Sequence, residues 1–289
     1  MFAAVSLQVP RPVRAILALV VVLALAGATY QGVTTSLERR RFPHPGRLVD
    51  VGGHQLHILC GGAGTPVVVL EAPAAGLSAT WARVQEPVAK LTRVCSYDRA
   101  GLGWSERGDD SFDPAHVPME LYALLDGARE QPPYIVVGDG LGSAFARMFG
   151  ARFPAATRSL VLLDAPGTDG GGRDRRSLGR MPNAMPWLAR VGLLRVVTPG
   201  RSRQPGVDPA VRGFMNRPDH LTRAAAELSA WDDVVRLADD AAAGGARTGE
   251  TAVALPAPLD DERGAAAASD AVIEAVTRAR RAPEPTRRR

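Results

Sequence analysis

The sequence predicts an α/β protein with a mostly parallel sheet and helices on both of its faces. Three short segments with mostly apolar centres, Pro66–Ala72, Arg93–Asp98 and Ser159–Asp164, have the length of buried strands. Segments with helical spacing, Trp81–Leu91 and Leu121–Arg129, alternate with these strands. Strands and helices that alternate in this way are typical of a parallel sheet with a helical layer on each face.

The N-terminal segment 1–33 contains a long apolar run. Arg11 and Arg14 precede uninterrupted apolar residues from Ala15 to Ala28, and a less pure stretch continues to Val33. A membrane-spanning helix needs about 20 residues, so we expect a single-pass anchor in the cell membrane with an exported domain. The alternative is a signal peptide cleaved at Ala26–Ala28, whose small residues suit cleavage, which would give a secreted protein. A buried core helix is the third interpretation.

The composition indicates one large globular domain and argues against nucleic-acid binding. The chain has 289 residues, of which 46% are hydrophobic, and a formal charge of +5. Its basic residues are nearly all arginine and are scattered, apart from clusters at Arg39–Arg41, Arg173–Arg176 and Arg287–Arg289. No aromatic residues are interleaved with these clusters, as single-strand binding would require.

The chain after the anchor divides into a linker, a core, a cap and a tail. We predict a polar linker at 34–45, a core at 46–164, a helical cap at 165–231, a degenerate C-terminal part of the core at 232–280 and a disordered tail at 281–289. In the cap, Met185–Val197 is predicted to be one amphipathic helix with Trp187 on its apolar side. After Trp231, only Thr251–Leu255 has strand character and only Asp270–Arg280 has helix character.

The two cysteines, Cys60 and Cys95, each lie in an apolar, strand-like segment. They can be buried thiols that pack as small apolar side chains. If the domain is exported and their strands are neighbours, they can instead form a disulfide. No metal site and no cofactor are predicted, because no histidine pair has ligand spacing with these cysteines.

The most informative motif is YIVVGDGLGS at Tyr134–Ser143. Tyr134–Val137 is a predicted strand, Ala144–Phe153 is a predicted helix, and Gly138 and Gly142 flank the tight turn between them. In a G-x-S-x-G turn of this kind, the central residue is a nucleophilic serine presented between a strand and a helix. Gly140 stands at that central position here, so the frame is retained without its nucleophile.

The chain resembles the α/β-hydrolase family, in particular its membrane-anchored or exported bacterial members. The resemblance rests on RRFPHPGRLVDVGG, VVVLEA, TWARVQEPVAKLTRVCSYDRAGLGWSERG, VVGDGLGS and LVLLDA, and it covers residues 40–165 closely and the cap loosely. It implies the α/β-hydrolase fold and hydrolysis of carboxylic esters or similar bonds. It also implies that the strands of Cys60 and Cys95 are neighbours, which favours the disulfide.

The family's chemistry implies a serine, then an acid, then a histidine along the chain, with the histidine taking the serine's proton. Here Gly140 replaces the serine, Asp139 stands where a histidine is usual, and no histidine follows His220. The family's two closing strands are also expected to be incomplete. We therefore predict a catalytically impaired protein, a pseudoenzyme, that binds a small apolar or acyl-type ligand. An active hydrolase with an unidentified nucleophile, and a protein-interaction module with an exposed sheet edge, remain open hypotheses.

Three side chains were considered as replacements for the missing groups. A nucleophilic Asp139 would shift the frame by one residue and place Val137 and Leu141 where small residues are needed. Ser143 lies in the first helical turn, where packing or helix-end hydrogen bonding is expected. Asp164 ends a strand at the active edge and is a weak candidate for the acid; without a base it is expected to close a loop.

The resemblance also implies an oxyanion hole, formed by the backbone N–H groups of Leu141 and Ala74. A site with these donors under an apolar cap can hold a carbonyl or carboxylate without reacting with it. His220 is expected on the surface of a cap helix. His54 and His57 are expected to be ordinary strand residues on opposite faces of an early strand.

Overall fold

The computed structural model describes residues 10–108, 111–167, 185–197, 213–214, 216–244 and 249–282. The centre of the fold is a seven-stranded sheet with the order β1-β2-β4-β3-β5-β6-β7. The strands are β1 Arg47–Asp50, β2 Gln55–Gly61, β3 Val67–Glu71, β4 Val94–Tyr97, β5 Tyr134–Asp139, β6 Thr157–Leu163 and β7 Gly249–Val253. Strand β2 pairs antiparallel with β1 and β4, and all other neighbours are parallel. The predicted mostly parallel sheet is confirmed.

The central strands are buried on both faces, because their side chains alternate between two apolar cores. In β3, Val67 and Val69 belong to one core and Val68 and Leu70 belong to the other. Strands β5 and β6 contribute to both cores in the same way. Strand β3 therefore has an uninterrupted apolar run because neither face of the sheet is exposed to solvent at its centre.

Helices cover both faces of the sheet, as predicted. Helices α3 Val117–Gly127 and α4 Leu141–Arg152 pack on one face, and α2 Ala82–Ala89 and α9 Glu262–Arg281 pack on the other. A further helix, α8 Trp231–Gly244, packs against α4. Helix α4 directly follows β5, so its first turn lies at the carboxyl edge of the sheet. The packing of α8 against α4 holds it there.

The C-terminal part, 232–280, is more regular than the sequence predicts. Helix α8 has few apolar residues, but Trp231, Val234 and Ala238 recur at helical spacing and are buried. Helix α9 starts earlier than predicted because the Asp261 side chain caps it, accepting a hydrogen bond from the Arg263 N–H. Among the described residues after β6, strand β7 alone extends the sheet, so one closing strand is present. Of the predicted tail, residues 283–289 lie outside the described part.

Helix α1 spans Arg11–Arg41 without interruption. The prediction of a linker at 34–45 is wrong for residues 34–41, because the next proline after Pro12 is Pro43 and the helix continues almost to it. Within Arg11–Glu38, the most apolar window of 18 residues has a mean hydropathy of 2.1 and is not buried against the protein. This one N-terminal helix is long and apolar enough to be a membrane anchor or a signal sequence.

The described part of the cap consists of α5 Met185–Arg190, α6 Leu193–Val197 and α7 Pro218–Ser229. The single helix predicted over Met185–Val197 is wrong, because Gly192 adopts a φ of 71° and separates α5 from α6. Trp187, which was predicted on the apolar side of that helix, is 67% exposed. The cap segments 168–184 and 198–212 lie outside the described residues.

Candidate functional site

The strand-to-helix turn at Gly140 has the geometry that the motif predicts. Strand β5 ends at Asp139, α4 begins at Leu141, and Gly140 between them has φ 52° and ψ −120°. The Gly140 N–H donates to the Leu163 carbonyl at 2.9 Å, and the Gly140 carbonyl accepts from the Ser143 N–H at 3.0 Å. Residues other than glycine rarely adopt this backbone conformation. The sharp elbow is therefore complete, with glycine at its apex.

The glycines on either side of the apex allow the backbone segments to approach closely. A Cβ atom on Gly138 would lie 2.5 Å from the Ser143 nitrogen, and one on Gly142 would lie 2.5 Å from the Ala72 carbonyl oxygen. Both distances are shorter than a side chain can tolerate. The start of α4 is consequently pressed against the ends of β5 and β3, which fixes the direction of the elbow.

Asp164 directly follows β6 and is held by backbone groups next to β7. One of its carboxylate oxygens accepts a hydrogen bond from the Leu255 N–H at 2.8 Å, and its own N–H donates to the Val253 carbonyl at 2.9 Å. Its φ of 44° is unusual for a residue with a side chain, and it is only 4% exposed. These bonds attach the loop after β7 to the carboxyl edge of the sheet.

The two predicted oxyanion donors, Ala74 and Leu141, lie in one apolar cluster. Both residues are buried together with Phe145 of α4 and with Trp231 and Val234 of α8. The neighbouring Ala75 N–H donates to a carboxylate oxygen of Glu227 at 3.0 Å. A carboxylate of cap helix α7 thus already sits against the loop from which the oxyanion donor is expected.

A buried guanidinium joins the cap to the core. Arg99 donates to Glu71 at 2.5 Å and to both carboxylate oxygens of Glu227, at 2.8 and 2.9 Å. It also donates to the Ala72 and Pro73 carbonyls, at 2.7 and 2.8 Å. All five guanidinium N–H groups therefore have acceptors. Because the acceptors come from β3, the following loop and α7, this one side chain fixes the cap over the carboxyl edge of the sheet.

The two carboxylates of this cluster have opposite electrostatic environments. Burial raises the pKa of Glu71, and the Tyr97 hydroxyl donates to this carboxylate. Burial also acts to raise the pKa of Glu227, but the attraction and hydrogen bonds of Arg99, together with Arg223 and the Ala75 N–H, outweigh it and hold that pKa below its ordinary value. Glu227 is therefore a carboxylate paired with Arg99 at neutral pH, and breaking this buried pair would be costly.

His220 is not on the surface as the sequence predicts. It is 2% exposed, on the face of α7 that also buries Leu221, Ala224 and Glu227. Among the described residues, neither of its ring nitrogens has a hydrogen-bond partner, and burial lowers its pKa to about 4. The imidazole is consequently neutral at physiological pH, and no carboxylate hydrogen-bonds to it to orient it.

Known proteins share parts of this sequence and most of this fold, although no protein-family model matches the chain. A 2-hydroxy-6-oxo-2,4-heptadienoate hydrolase from Pseudomonas putida is 34% identical over 130 residues, which are 42% of this chain and 45% of that protein. The chain therefore spans less than half of the length of that relative.

Two solved structures match over most of the chain. Cfl2 from Burkholderia cenocepacia matches with a TM-score of 0.62 and 20% identity, over 80% of this chain and 95% of that one. The haloalkane dehalogenase DatA from Agrobacterium tumefaciens matches with a TM-score of 0.60 and 15% identity, over 81% of this chain and 96% of that one. The chain has the α/β-hydrolase fold.

Gly140 stands at the apex of the elbow, where the G-x-S-x-G motif has its serine. Glycine has no side-chain atom that could attack a carbonyl carbon. The nearby Ser143 hydroxyl is fully buried and lies 2.8 Å from the Gly138 carbonyl and 3.0 Å from the Leu163 carbonyl. Donating to these carbonyls, it ties the first turn of α4 to the ends of β5 and β6.

A second group of residues has the composition of a catalytic triad but not its connectivity. His57 is fully buried in β2, and its Nδ1 lies 3.0 Å from Asp98 and 3.4 Å from the Ser78 hydroxyl. Its Nε2 accepts from the Gly46 N–H at 3.2 Å. In a triad, serine and acid contact different ring nitrogens. Here both contact Nδ1, so His57 cannot relay a proton from Ser78, and the group instead joins β2 to two loops.

The remaining predicted residues also have defined contacts. Cys60 and Cys95 face each other in the antiparallel pair β2–β4 and form a disulfide. His54 lies just before β2, with its Nε2 3.4 Å from a Glu120 oxygen.

In this α/β-hydrolase fold, sequence reasoning missed the Arg99 cluster. Two signals pointed to it: the arginine inside SYDRAG, and a glutamate seven residues after His220 on the same helix face.

Proposed function

We propose that this protein is a membrane-anchored member of the α/β-hydrolase fold that binds a small apolar or acyl-type ligand without hydrolysing it. The observation that carries the proposal is the glycine at the apex of an otherwise complete elbow. The elbow's hydrogen bonds and flanking glycines retain the scaffold of an active site. A side chain that could form the acyl-enzyme bond is absent from its apex.

The ligand class follows from the surroundings of the elbow. The backbone of Ala74 and Leu141, from which the family's fold would draw its oxyanion donors, is enclosed by apolar and aromatic side chains of α4 and α8. Such a site favours an apolar ligand with one carbonyl or carboxylate group. The P. putida relative is named for the hydrolysis of an unsaturated keto acid, which contains both of these groups.

Anchoring by α1, with the N-terminus in the cytoplasm and the domain exported, is the favoured location. The disulfide is typical of an oxidising compartment. Cleavage at Ala26–Ala28 is less well supported, because α1 continues without a break to Arg41 and Gly27 packs against the cap. A cleaved and secreted form would lose that contact.

The proposal is tested by treating the full chain, in lipid nanodiscs, with a fluorophosphonate probe and measuring its intact mass. We expect no adduct, and we expect 4-nitrophenyl butyrate to bind without release of 4-nitrophenolate. A stoichiometric adduct would refute the proposal, and repeating the reaction with Ser143→Ala would show whether Ser143 is the site.

The variant Gly140→Ser restores the nucleophile and tests the missing base. General-base assistance contributes about 10²- to 10⁴-fold. Because no histidine with a suitable partner has been found near the elbow among the described residues, we expect little esterase activity from this variant. A gain of more than about a hundredfold over the wild-type chain would show that a functional base is present.

A further inference from the structure

Apolar side chains remain exposed on the short cap helices α5 and α6. Trp187 is 67% exposed, Leu193 is 43% exposed, and Val191 between the two helices is 36% exposed. The Arg190 guanidinium lies 4.7 Å from the centre of the Trp187 ring. A tryptophan next to an arginine, beside other apolar side chains, is typical of protein surfaces at the boundary between membrane and water.

The same segment of the cap lies directly against α1. A Cβ atom on Gly192 would lie 2.7 Å from the Gly27 carbonyl oxygen, and one on Gly27 would overlap the Val191 carbonyl. The two segments therefore touch backbone to backbone, an approach that only glycine allows at both positions. Cap and anchor are in direct contact at Gly27.

Polar contacts fix the next turns of α1 to the cap. Arg195 of α6 donates to both carboxylate oxygens of Glu38, at 2.6 and 2.7 Å, and to the Gln31 side-chain oxygen at 2.7 Å. The Gln31 amide donates in turn to the Asn216 carbonyl at 3.0 Å. Gln31 is 3% exposed, so the protein itself satisfies the first polar side chain to be buried after the apolar run. The position of the cap relative to α1 is thus set by several bonds.

These contacts define the depth of the cap relative to a membrane. The hydrocarbon core is about 30 Å thick and is crossed by about 20 helical residues. Arg11 and Tyr30 are 19 residues apart and bound such a span, with Arg14 within one turn of its first end, from where its long side chain can reach the headgroups. Gly27 is then within one turn of the membrane surface, so Val191 and Gly192, which touch it, lie at the same level.

We propose that α5 and α6 of the cap rest on the phospholipid bilayer that holds α1, with Trp187, Val191 and Leu193 inserted among the lipid headgroups. This inference rests on the proposed anchoring of α1. A phospholipid surface is the occupant because the exposed apolar side chains of the cap are continuous with those of α1. A ligand dissolved in the bilayer then reaches the cap without crossing bulk water.

The proposal is tested by fluorescence quenching of the full chain in nanodiscs. The two natural cysteines form the disulfide, so one introduced cysteine provides the single free thiol for a bimane label. The labelled positions are Leu193→Cys on the cap, Leu19→Cys near the middle of the apolar part of α1, and Met119→Cys as a matched control. Met119 is an exposed apolar residue on α3. Quenchers are phospholipids with a nitroxide near the headgroup or deep in the acyl chain.

We expect the shallow quencher to reduce the fluorescence at position 193 by about twofold or more and the deep quencher to act mainly at position 19. Position 119 should be unaffected. The substitution Trp187→Ser should reduce the shallow quenching in the Leu193→Cys background and leave the deep quenching unchanged in the Leu19→Cys background. Quenching at position 19 without quenching at 193 would overturn the proposal and leave the anchor intact. No quenching at either position would refute the anchor and, with it, the membrane contact of the cap.

Discussion

Glycine at position 140 leaves the apex of the elbow without the backbone strain that a side chain would bear there. A side chain held at φ 52° and ψ −120° would cost about 1–3 kcal/mol, a cost that active sites bear for their function. With glycine at the apex, the elbow adopts the same shape without that cost.

The substitution Gly140→Ala should restore the strain without adding any chemistry. We expect the free energy of unfolding to fall by about 1–3 kcal/mol, measured by urea denaturation. The control is Gly244→Ala at the end of α8, where nothing lies within 4 Å, and it should change stability by less than about 1 kcal/mol. Equal stabilities of Gly140→Ala and wild type would contradict the positive φ at the apex.

The individual site residues were predictable only where their partners are close in sequence. The elbow from Tyr134 to Ser143 is local, so its strand, turn and helix follow from one short motif. The partners Arg99 and Glu227 are separated by 128 positions, and no pattern in the sequence brings them together. His220 was misplaced for the same reason, since its burial depends on how α7 packs.

The secondary-structure elements show where apolar periodicity is a sufficient guide. The central strands, buried on both faces, were predicted correctly because their apolar runs are uninterrupted. Helix α8 was missed because alanine and aspartate obscure the three apolar positions that anchor it. The end of α1 was missed because polar residues at 34–41 suggested a linker, while Glu38 is in fact held by Arg195.

The disulfide connects two elements, β2 and β4, and its contribution can be measured directly. It closes a loop with a sequence separation of 35, for which the chain-entropy estimate is about 4 kcal/mol. We expect the double variant Cys60→Ala/Cys95→Ala to lose about this amount in urea denaturation. Wild-type protein unfolded with a reductant present serves as the control and should lose stability to a similar extent. If reduction leaves the unfolding midpoint unchanged, the disulfide does not stabilise the fold.

For the molecule as a whole, the cap and the core form one buried polar system. Arg99 and Glu227 are fully paired, whereas His220 is buried near Asp98, Arg99, Arg217 and Glu227 and has no hydrogen-bond partner in the part of the chain that the structure describes. The overall topology was predictable from the alternation of strands and helices. The position of the cap over the sheet was not predictable, because it depends on charged residues that are far apart in the sequence.

His220 should make the stability of the fold depend on pH. Its pKa falls from 6.5 to about 4 on folding, so its contribution is complete above pH 6.5 and is lost as the pH falls towards 4. Between about pH 7.5 and about pH 5, we expect a loss of about 2 kcal/mol in the free energy of unfolding. The pairing of Glu227 is lost only at lower pH, because its pKa is below its ordinary value.

The variant His220→Leu should reduce this pH dependence by about 2 kcal/mol over the same range, measured by urea denaturation at the two pH values. The variant His116→Gln replaces an exposed histidine and should retain the wild-type dependence. Identical pH dependence in His220→Leu and wild type would show that the imidazole is not buried in its neutral form.

The contacts of Arg195 with Gln31 and Glu38 have a practical consequence for anyone who purifies this protein. A shortened chain that starts after α1 would expose the buried face of the cap and leave Arg195 without these partners. The activity measured for such a shortened chain would then reflect a disrupted cap and not the native one. Binding and turnover are therefore best measured on the chain with its N-terminal helix attached.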